Sequence, residues 1–138
     1  MANLSYPFPA VGEVHNYEYL FLADASQGET DGRKVRPVLV VAADPGTRRV
    51  FVVPVTTKGE VDGSRTMAIP VDVGRAMGLP RPEESLLLTD EANTFIWTGY
   101  DLRPVPKTNG SKFGKATPGF TNSALRRLIT AGGRATRR

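Results

Sequence analysis

Four polar side chains stand at the ends of two apolar runs, and their chemical types suit the binding of an anion. Arg36 comes just before the first run, and Thr56, Thr57 and Lys58 come at the end of the second. A guanidinium and hydroxyl groups that converge on one place can hold a phosphate or a carboxylate. They can also stabilise the negative charge that builds up on phosphate oxygens during a reaction.

The two apolar runs that must position these side chains are predicted to form a β-hairpin. Residues 38–43 are VLVVAA and residues 50–55 are VFVVPV, and both suit strands buried on much of both faces. The sequence DPGTRR at 44–49 is typical of a turn. In an antiparallel hairpin the start of one strand lies beside the end of the other. We therefore expect Arg36 to lie next to Thr56 at one end of the hairpin.

The composition indicates one globular domain over 1–138, mainly β with small helices. The 14 Gly and 11 Pro favour frequent turns over a helical bundle. Neither a membrane span of ~18 apolar residues nor a signal peptide is recognisable, so we expect a cytoplasmic protein without a membrane partner. With no Cys and one His, we expect no disulfide, no metal site and no cofactor.

Positive charge is concentrated towards the C-terminus. Every acidic residue lies at or before Asp101, so the segment 102–138 contains basic residues and no acidic ones. This asymmetry predicts a polyanion or an acidic protein as partner. A solvated segment that only aids solubility is an equally good interpretation, and we expect residues 132–138 to be flexible.

The remaining elements are predicted from hydrophobic periodicity, caps and turn residues. We expect an extended lead-in at 1–11, a long polar loop at 23–35 that acts as a lid or binding loop, and a mobile loop at 107–119. Further strands are predicted at 14–22, 66–71, 85–90 and 92–97. Helices are predicted at 73–78, capped by Asp72, and at 123–131, capped by Thr121 or Asn122, with an apolar stripe of Leu125, Leu128 and Ile129.

The chemistry open to the hairpin end is limited. No phosphate-binding loop, dinucleotide fingerprint, nucleophile elbow or metal-ligand spacing occurs in the sequence. His15 lies on the aromatic face of the first strand, where we expect a hydrogen-bonded structural residue and not a catalytic base. RNA carries its own nucleophile in the 2′-hydroxyl, so its cleavage needs little acid–base machinery. An arginine and threonine site therefore favours RNA cleavage over DNA hydrolysis.

An ordered set of segments resembles the PemK/MazF family of toxins. These are GEV at 12–14, Arg36-Pro37 followed by VLVV, VVPVTT at 52–57, and a later strand ending in Asp90. Residues 90–104 resemble a divergent PemK-like branch. The resemblance implies an SH3-like β-barrel of the PemK/MazF/CcdB type with a C-terminal helix, assembled as a homodimer. It also implies metal-independent cleavage of single-stranded RNA, often mRNA, and neutralisation by a small acidic antitoxin that covers the RNA site.

The resemblance also implies roles for particular residues. Arg36 matches the arginine before proline that stabilises or protonates the phosphate in the transition state. Thr56 matches the hydroxyl that holds the scissile phosphate, and Asp90 matches an aspartate at the end of the later strand. These three are the predicted catalytic residues. The predicted RNA-binding residues around them are Arg33, Lys34, Thr57 and Lys58.

Three functions follow as hypotheses. The first is an endoribonuclease toxin of a type II toxin–antitoxin system that inhibits growth. The second is a non-catalytic nucleic-acid-binding module on the same barrel, which Glu91 keeps open because the family usually has glutamine there. The third is a toxin that inhibits a protein such as gyrase, although GGRATRR at 132–138 does not look like the C-terminal end of such toxins.

Overall fold

A computed structural model describes residues 4–29 and 34–138. Within these residues the chain is mainly β, with eight strands in one sheet and three α-helices. In chain order the elements are β1 Glu13–Tyr19, α1 Leu22–Ser26, β2 Lys34–Asp44, β3 Arg49–Thr57, β4 Thr66–Ala68, α2 Val71–Ala76, β5 Ser85–Leu88, β6 Ala92–Ile96, β7 Lys112–Lys115, α3 Pro118–Thr130 and β8 Ala135–Arg137. Short 3₁₀ turns occur at Gly63–Arg65 and Pro82–Glu84.

Strand β3 is the centre of the sheet. The strand order is β4-β5-β3-β2-β1-β7. Strand β6 lies off this path and pairs with both β3 and β8. The first half of β3 pairs with β6, its last three residues pair with β5, and β2 runs along its other edge. All of these pairs are antiparallel except β6 with β8, which is parallel. The predicted hairpin is therefore confirmed, and it pairs directly with β1, β5 and β6.

Both faces of the hairpin are buried, which is why its sequence is apolar without alternation. Leu39 and Val53 belong to a core cluster that also contains residues of α3, and Val73 of α2 packs against it. Val38 and Val52 point to a second cluster, which is rich in aromatic rings from β1 and β6. In the turn, the Asp44 carboxylate accepts a hydrogen bond of 2.9 Å from the Gly46 amide, as the Asp-Pro-Gly sequence suggests.

The segment predicted as a mobile loop at 107–119 contains β7, which pairs with β1. The loop prediction was wrong here because KFGK at 112–115 carries little apolar signal. The place of this strand depends instead on Gly114, which allows a close approach to α2. A Cβ atom on this glycine would lie 2.4 Å from the backbone oxygen of Ala76, so the strand packs directly on the end of α2.

The two predicted helices are present, but their N-termini differ from the predictions. Helix α3 begins at Pro118, with the Thr117 hydroxyl accepting from the Phe120 amide, so neither Thr121 nor Asn122 is its cap. Leu128 is buried as predicted, whereas Ile129 is 64% exposed. The buried face of α3 consists of Phe120, Thr121, Ala124 and Leu128. Helix α2 begins at Val71 after Pro70, which leaves Asp72 inside the first turn and not at the cap.

Both ends of the described chain lie against the body. In the lead-in, the carbonyl of Tyr6 accepts a 2.7 Å hydrogen bond from the Trp97 indole. The basic segment 132–138 contains β8, and this differs from the expectation of a flexible tail. The Arg138 side chain is only 3% exposed, and it forms an ion pair of 3.1 Å with Asp101. Polar anchors of this kind leave no hydrophobic pattern in a sequence.

No helix in the described ranges has the length and apolar character needed to cross a membrane.

Candidate functional site

A cavity of about 320 Å³ lies at the end of the hairpin where Arg36 and Thr56 were expected to meet. Strand β2 contributes residues 34–37 to its wall and strand β3 contributes residues 55–57. The other lining residues are Glu60, Leu79, Pro80, Arg81 and Ser85. The structure thus brings together four of the predicted site residues, namely Lys34, Arg36, Thr56 and Thr57.

Arg36 is a buried cation. Its side chain is 6% exposed, its guanidinium carbon lies 4.8 Å from the ring centre of Phe21, and one terminal nitrogen donates to the carbonyl of Val55 at 3.3 Å. A charge removed from water in this way needs a partner of opposite sign. Because the guanidinium of Arg36 is buried beside the end of β3, it strongly favours an anion as its neighbour.

The anion beside Arg36 is the carboxylate of Glu60. Arg36 Nη1 lies 2.8 Å from Glu60 Oε1, and Nη2 lies 3.3 Å from Oε2, so the contact is bidentate. The Thr57 amide and Lys34 Nζ also donate to this carboxylate, at 3.3 and 3.4 Å. Partial burial acts to raise the pKa of Glu60, but hydrogen bonding and charge from Arg36 outweigh it and hold the pKa below its ordinary value.

Sequence reasoning missed Glu60. The available signal was its place in the turn-rich segment GEVDGS at 59–64, directly after the strand that carries Thr56. A carboxylate so close to two hydroxyls and an arginine is a candidate partner for that arginine. The conformation of the turn, which decides whether the carboxylate points inward, is not readable from residue types.

Two buried polar atoms of the cavity residues make no hydrogen bond within the described part of the chain. They are Thr56 Oγ1 and Arg36 Nε. Thr56 is only 2% exposed, although its backbone pairs normally with Leu86 of β5. Buried polar groups are nearly always hydrogen-bonded in folded proteins, and exceptions are frequent at functional sites. The hydroxyl and the Nε group therefore each have a hydrogen that is not donated within the described residues, although both atoms are enclosed.

Asp90 lies elsewhere. Its carboxylate is bound by Arg65, with Nε at 2.7 Å from Oδ2 and Nη2 at 3.0 Å from Oδ1. It lines a separate cavity with Arg126 and Arg127 of α3 and is not among the residues around Arg36. The structure therefore does not bring Asp90 to the predicted catalytic pair.

Glu91 is a structural carboxylate. It is 3% exposed, and Oε1 accepts from the Tyr19 hydroxyl at 3.0 Å and from the Leu22 amide at 2.9 Å. Oε2 lies 2.9 Å from Arg65 Nη2. Glu91 thus links the end of β1 and the start of α1 to the segment just before β6. It does not line the Arg36 cavity.

Of the other predicted RNA-binding residues, Lys58 is not part of the cavity wall. Lys58 is exposed just beyond β3, and its backbone amide donates to the carbonyl of Glu84 at 2.9 Å. Arg33 falls outside the described residues. Lys34, at the edge of the cavity, has a side chain that is 61% exposed, so it remains accessible to a ligand.

His15 is a hydrogen-bonded structural residue, as predicted. It is 4% exposed, with Nδ1 at 2.8 Å from Ser111 Oγ and Nε2 at 2.9 Å from Glu13 Oε1. Its ring packs edge-on against Trp97 at 5.0 Å. Burial lowers the pKa of His15 despite the opposing influence of Glu13.

The arrangement at the hairpin end can bind an oxyanion and stabilise charge on it. Across residues 4–29 and 34–138 there is no group of three or more His, Cys, Asp or Glu side chains placed to hold a metal ion. The chain matches no protein-family model, and no curated protein is similar enough to count as a match.

Proposed function

We propose that this protein is the toxin of a type II toxin–antitoxin system, a metal-independent endoribonuclease that cleaves single-stranded RNA, including mRNA, and so inhibits growth. One observation carries the proposal. Arg36, whose guanidinium is buried, and Thr56, whose buried hydroxyl has no hydrogen-bond partner among the described residues, line one cavity at the end of the hairpin. Both groups favour a phosphodiester over an uncharged ligand.

The chemistry is an internal transesterification. The RNA 2′-oxygen forms a bond to the adjacent phosphorus, the bond from phosphorus to the 5′-oxygen breaks, and the 2′-hydroxyl proton is passed on so that the 5′-oxygen leaves as a hydroxyl. The products are a 2′,3′-cyclic phosphate and a 5′-hydroxyl end. Arg36 stabilises the extra charge on the phosphate oxygens, and the Thr56 hydroxyl donates to one of them.

The finer architecture belongs to the same proposal. A hairpin whose second strand is shared by β5 and β6, followed by a C-terminal helix, supports an SH3-like barrel of the PemK/MazF type. We infer a homodimer and a small acidic antitoxin as partner. The exposed arginines Arg126, Arg134 and Arg137 in the acid-free segment 102–138 support an acidic partner or RNA.

The Glu60 contact favours one alternative, a nucleic-acid-binding module that does not cut. A carboxylate bound to both terminal nitrogens of Arg36 neutralises the charge that cleavage needs. Such a module would bind RNA with an affinity that falls steeply as salt is raised, and it would release no products.

A cleavage assay decides between the two functions. Wild-type protein is incubated with a varied set of single-stranded RNAs in EDTA, and the ends of any products are identified. We expect 2′,3′-cyclic phosphate ends from the wild type and none from Arg36→Ala, with Arg75→Ala, an exposed arginine on α2, as the matched control. Intact RNA with the wild type, together with salt-sensitive RNA binding, would support the non-cutting module instead.

A further inference from the structure

The turn after β3 places one of the chain's own carboxylates on the guanidinium that was expected to hold the substrate. Glu60 accepts from both terminal nitrogens of Arg36, at 2.8 and 3.3 Å. Phosphate and carboxylate oxygens use the same edge of a guanidinium, and both favour a bidentate contact. A phosphate therefore cannot make this contact while Glu60 makes it.

The donors around Glu60 form a complete anion subsite. Besides Arg36, the carboxylate is bound by the backbone amide of Thr57 at 3.3 Å and by Lys34 Nζ at 3.4 Å. An anion that took the place of this carboxylate would meet the same cations and the same amide. Thr56 belongs to the same cavity wall, and its hydroxyl, which has no partner in residues 4–29 and 34–138, is a further donor close to this subsite.

The two partners of the ion pair are held very differently. The Arg36 side chain is 6% exposed in the middle of the wall, whereas that of Glu60 is 25% exposed. Glu60 lies on a turn next to Gly59, which has a φ of +85° and no neighbouring atom within 4 Å of a Cβ position. The carboxylate can leave by rotation of its own side chain, and the guanidinium stays in place.

We propose that Glu60 is an internal competitor for the phosphate subsite, and that a phosphate binds at Arg36 only by displacing this carboxylate. The proposal rests on the proposed function in taking an RNA phosphate as the natural ligand. The competition lowers the affinity of this subsite for a single phosphate. Contacts elsewhere along the RNA must therefore supply the free energy that is needed to displace Glu60 from Arg36.

A role for Glu60 as the general base that takes the 2′-hydroxyl proton fits the geometry less well. Both carboxylate oxygens already accept hydrogen bonds, from Arg36 and Thr57 on one side and from Arg36 and Lys34 on the other. The two roles predict different results when the Glu60 carboxylate is removed. Removing a competitor strengthens anion binding, whereas removing a base slows cleavage and leaves binding unchanged.

The test is a titration with inorganic phosphate, followed through the backbone amide signals of Thr56 and Thr57 by NMR. We expect Glu60→Gln to bind phosphate about tenfold more tightly than the wild type. Glu83→Gln, which makes the same change in net charge at an exposed residue outside the cavity, is the matched control and should stay near the wild type. Glu60→Ala should change affinity in the same direction as Glu60→Gln.

Adding Arg36→Ala to Glu60→Gln should remove the gained affinity. The proposal is overturned if Glu60→Gln binds phosphate no more tightly than Glu83→Gln, or if the double variant keeps the gain. Because phosphate binding needs no cleavage, this result is independent of the RNA assay. A wild type that leaves RNA intact would refute the endoribonuclease and leave the competition at Arg36 standing.

Discussion

Thr56 has a buried hydroxyl that does not contribute to stability through a hydrogen bond within the described residues. Its hydroxyl is enclosed without a hydrogen-bond partner in the described chain, which costs free energy relative to a methyl group of the same shape. Thr94 on β6 is a useful contrast. It is also buried, but its hydroxyl donates to the Val50 carbonyl at 2.9 Å and accepts from Arg49 at 3.0 Å.

Thr56→Val should separate function from stability. We expect the free energy of unfolding to stay the same or to rise by about 1 kcal/mol, because an unsatisfied hydroxyl is removed. RNA cleavage should fall about 10²-fold or more, as for the loss of one donor to a developing oxyanion. Urea unfolding and the cleavage assay measure the two effects. Thr94→Val should lose about 1–3 kcal/mol, and an equal loss at Thr56 would mean that its hydroxyl has a structural partner.

His15 should make stability depend on pH. Burial holds its pKa below the ordinary value of 6.5, and Lys112 acts in the same direction, while Glu13 opposes them and Ser111 is a neutral partner. Because the folded pKa is the lower one, the stabilising contribution is complete above about pH 6.5 and is lost as the pH falls through the folded pKa.

Urea unfolding between pH 5 and 8 should therefore show decreasing stability below about pH 6.5, and His15→Gln should flatten this dependence. Burial acts to raise the pKa of Glu13, but hydrogen bonds from Ala10 and His15 outweigh it and lower this pKa from an ordinary value of 4.5, so its contribution begins to be lost only below about pH 4.5. Equal pH dependence in the wild type and the variant would show that His15 is not the group responsible.

At the scale of elements, the strands that could be predicted from the sequence are those with many apolar residues. The β2–β3 hairpin was predicted because both of its faces are buried and its turn contains Asp-Pro-Gly. Strand β7 was missed because its place depends on a close approach at Gly114, and β8 because polar contacts anchor it. At the site, the meeting of Arg36 and Thr56 followed from antiparallel register. The inward turn of Glu60 and the pairing of Asp90 with Arg65 depend on loop conformations that residue types do not specify.

The approach of β7 to α2 is tested by Gly114→Ala. The added Cβ would lie 2.4 Å from the oxygen of Ala76 and 2.6 Å from the carbonyl carbon of Met77, and neither backbone atom can move easily. We expect a loss of about 1–3 kcal/mol or more in the free energy of unfolding, measured by thermal or urea denaturation. Gly119→Ala is the control, because nothing lies within 4 Å of its Cβ position in the first turn of α3. A Gly114→Ala variant as stable as this control would contradict the packing.

At the scale of the whole molecule, the basic segment 102–138 has two roles. Arg138 is structural, since its guanidinium donates to the Glu18 carbonyl and to Asn93 and pairs with Asp101. Arg127 is also engaged, through Thr89 and the Thr66 carbonyl. Only part of the charge asymmetry seen in the sequence is therefore presented to a partner.

Arg138→Ala should weaken the molecule, and Arg137→Ala should not. The first change removes the ion pair with Asp101 and the charged donor to the carbonyl of Glu18, which costs about 1.5–3 kcal/mol. Arg137 is exposed, so its replacement should change stability by no more than about 0.5 kcal/mol. Urea unfolding compares the two variants. Equal stability would show that β8 is not anchored through Arg138.

The pairing of β1 with β7 has a consequence for synthesis of the protein. Strand β1 can pair with β2 early, but its second neighbour, β7, is synthesised much later, since Glu13 pairs with Lys115. Strand β7 also packs against Gly78, next to the wall residues 79–81 of the cavity. A nascent chain thus carries Arg36 and Thr56 before the strand that packs beside this part of the cavity wall has been synthesised.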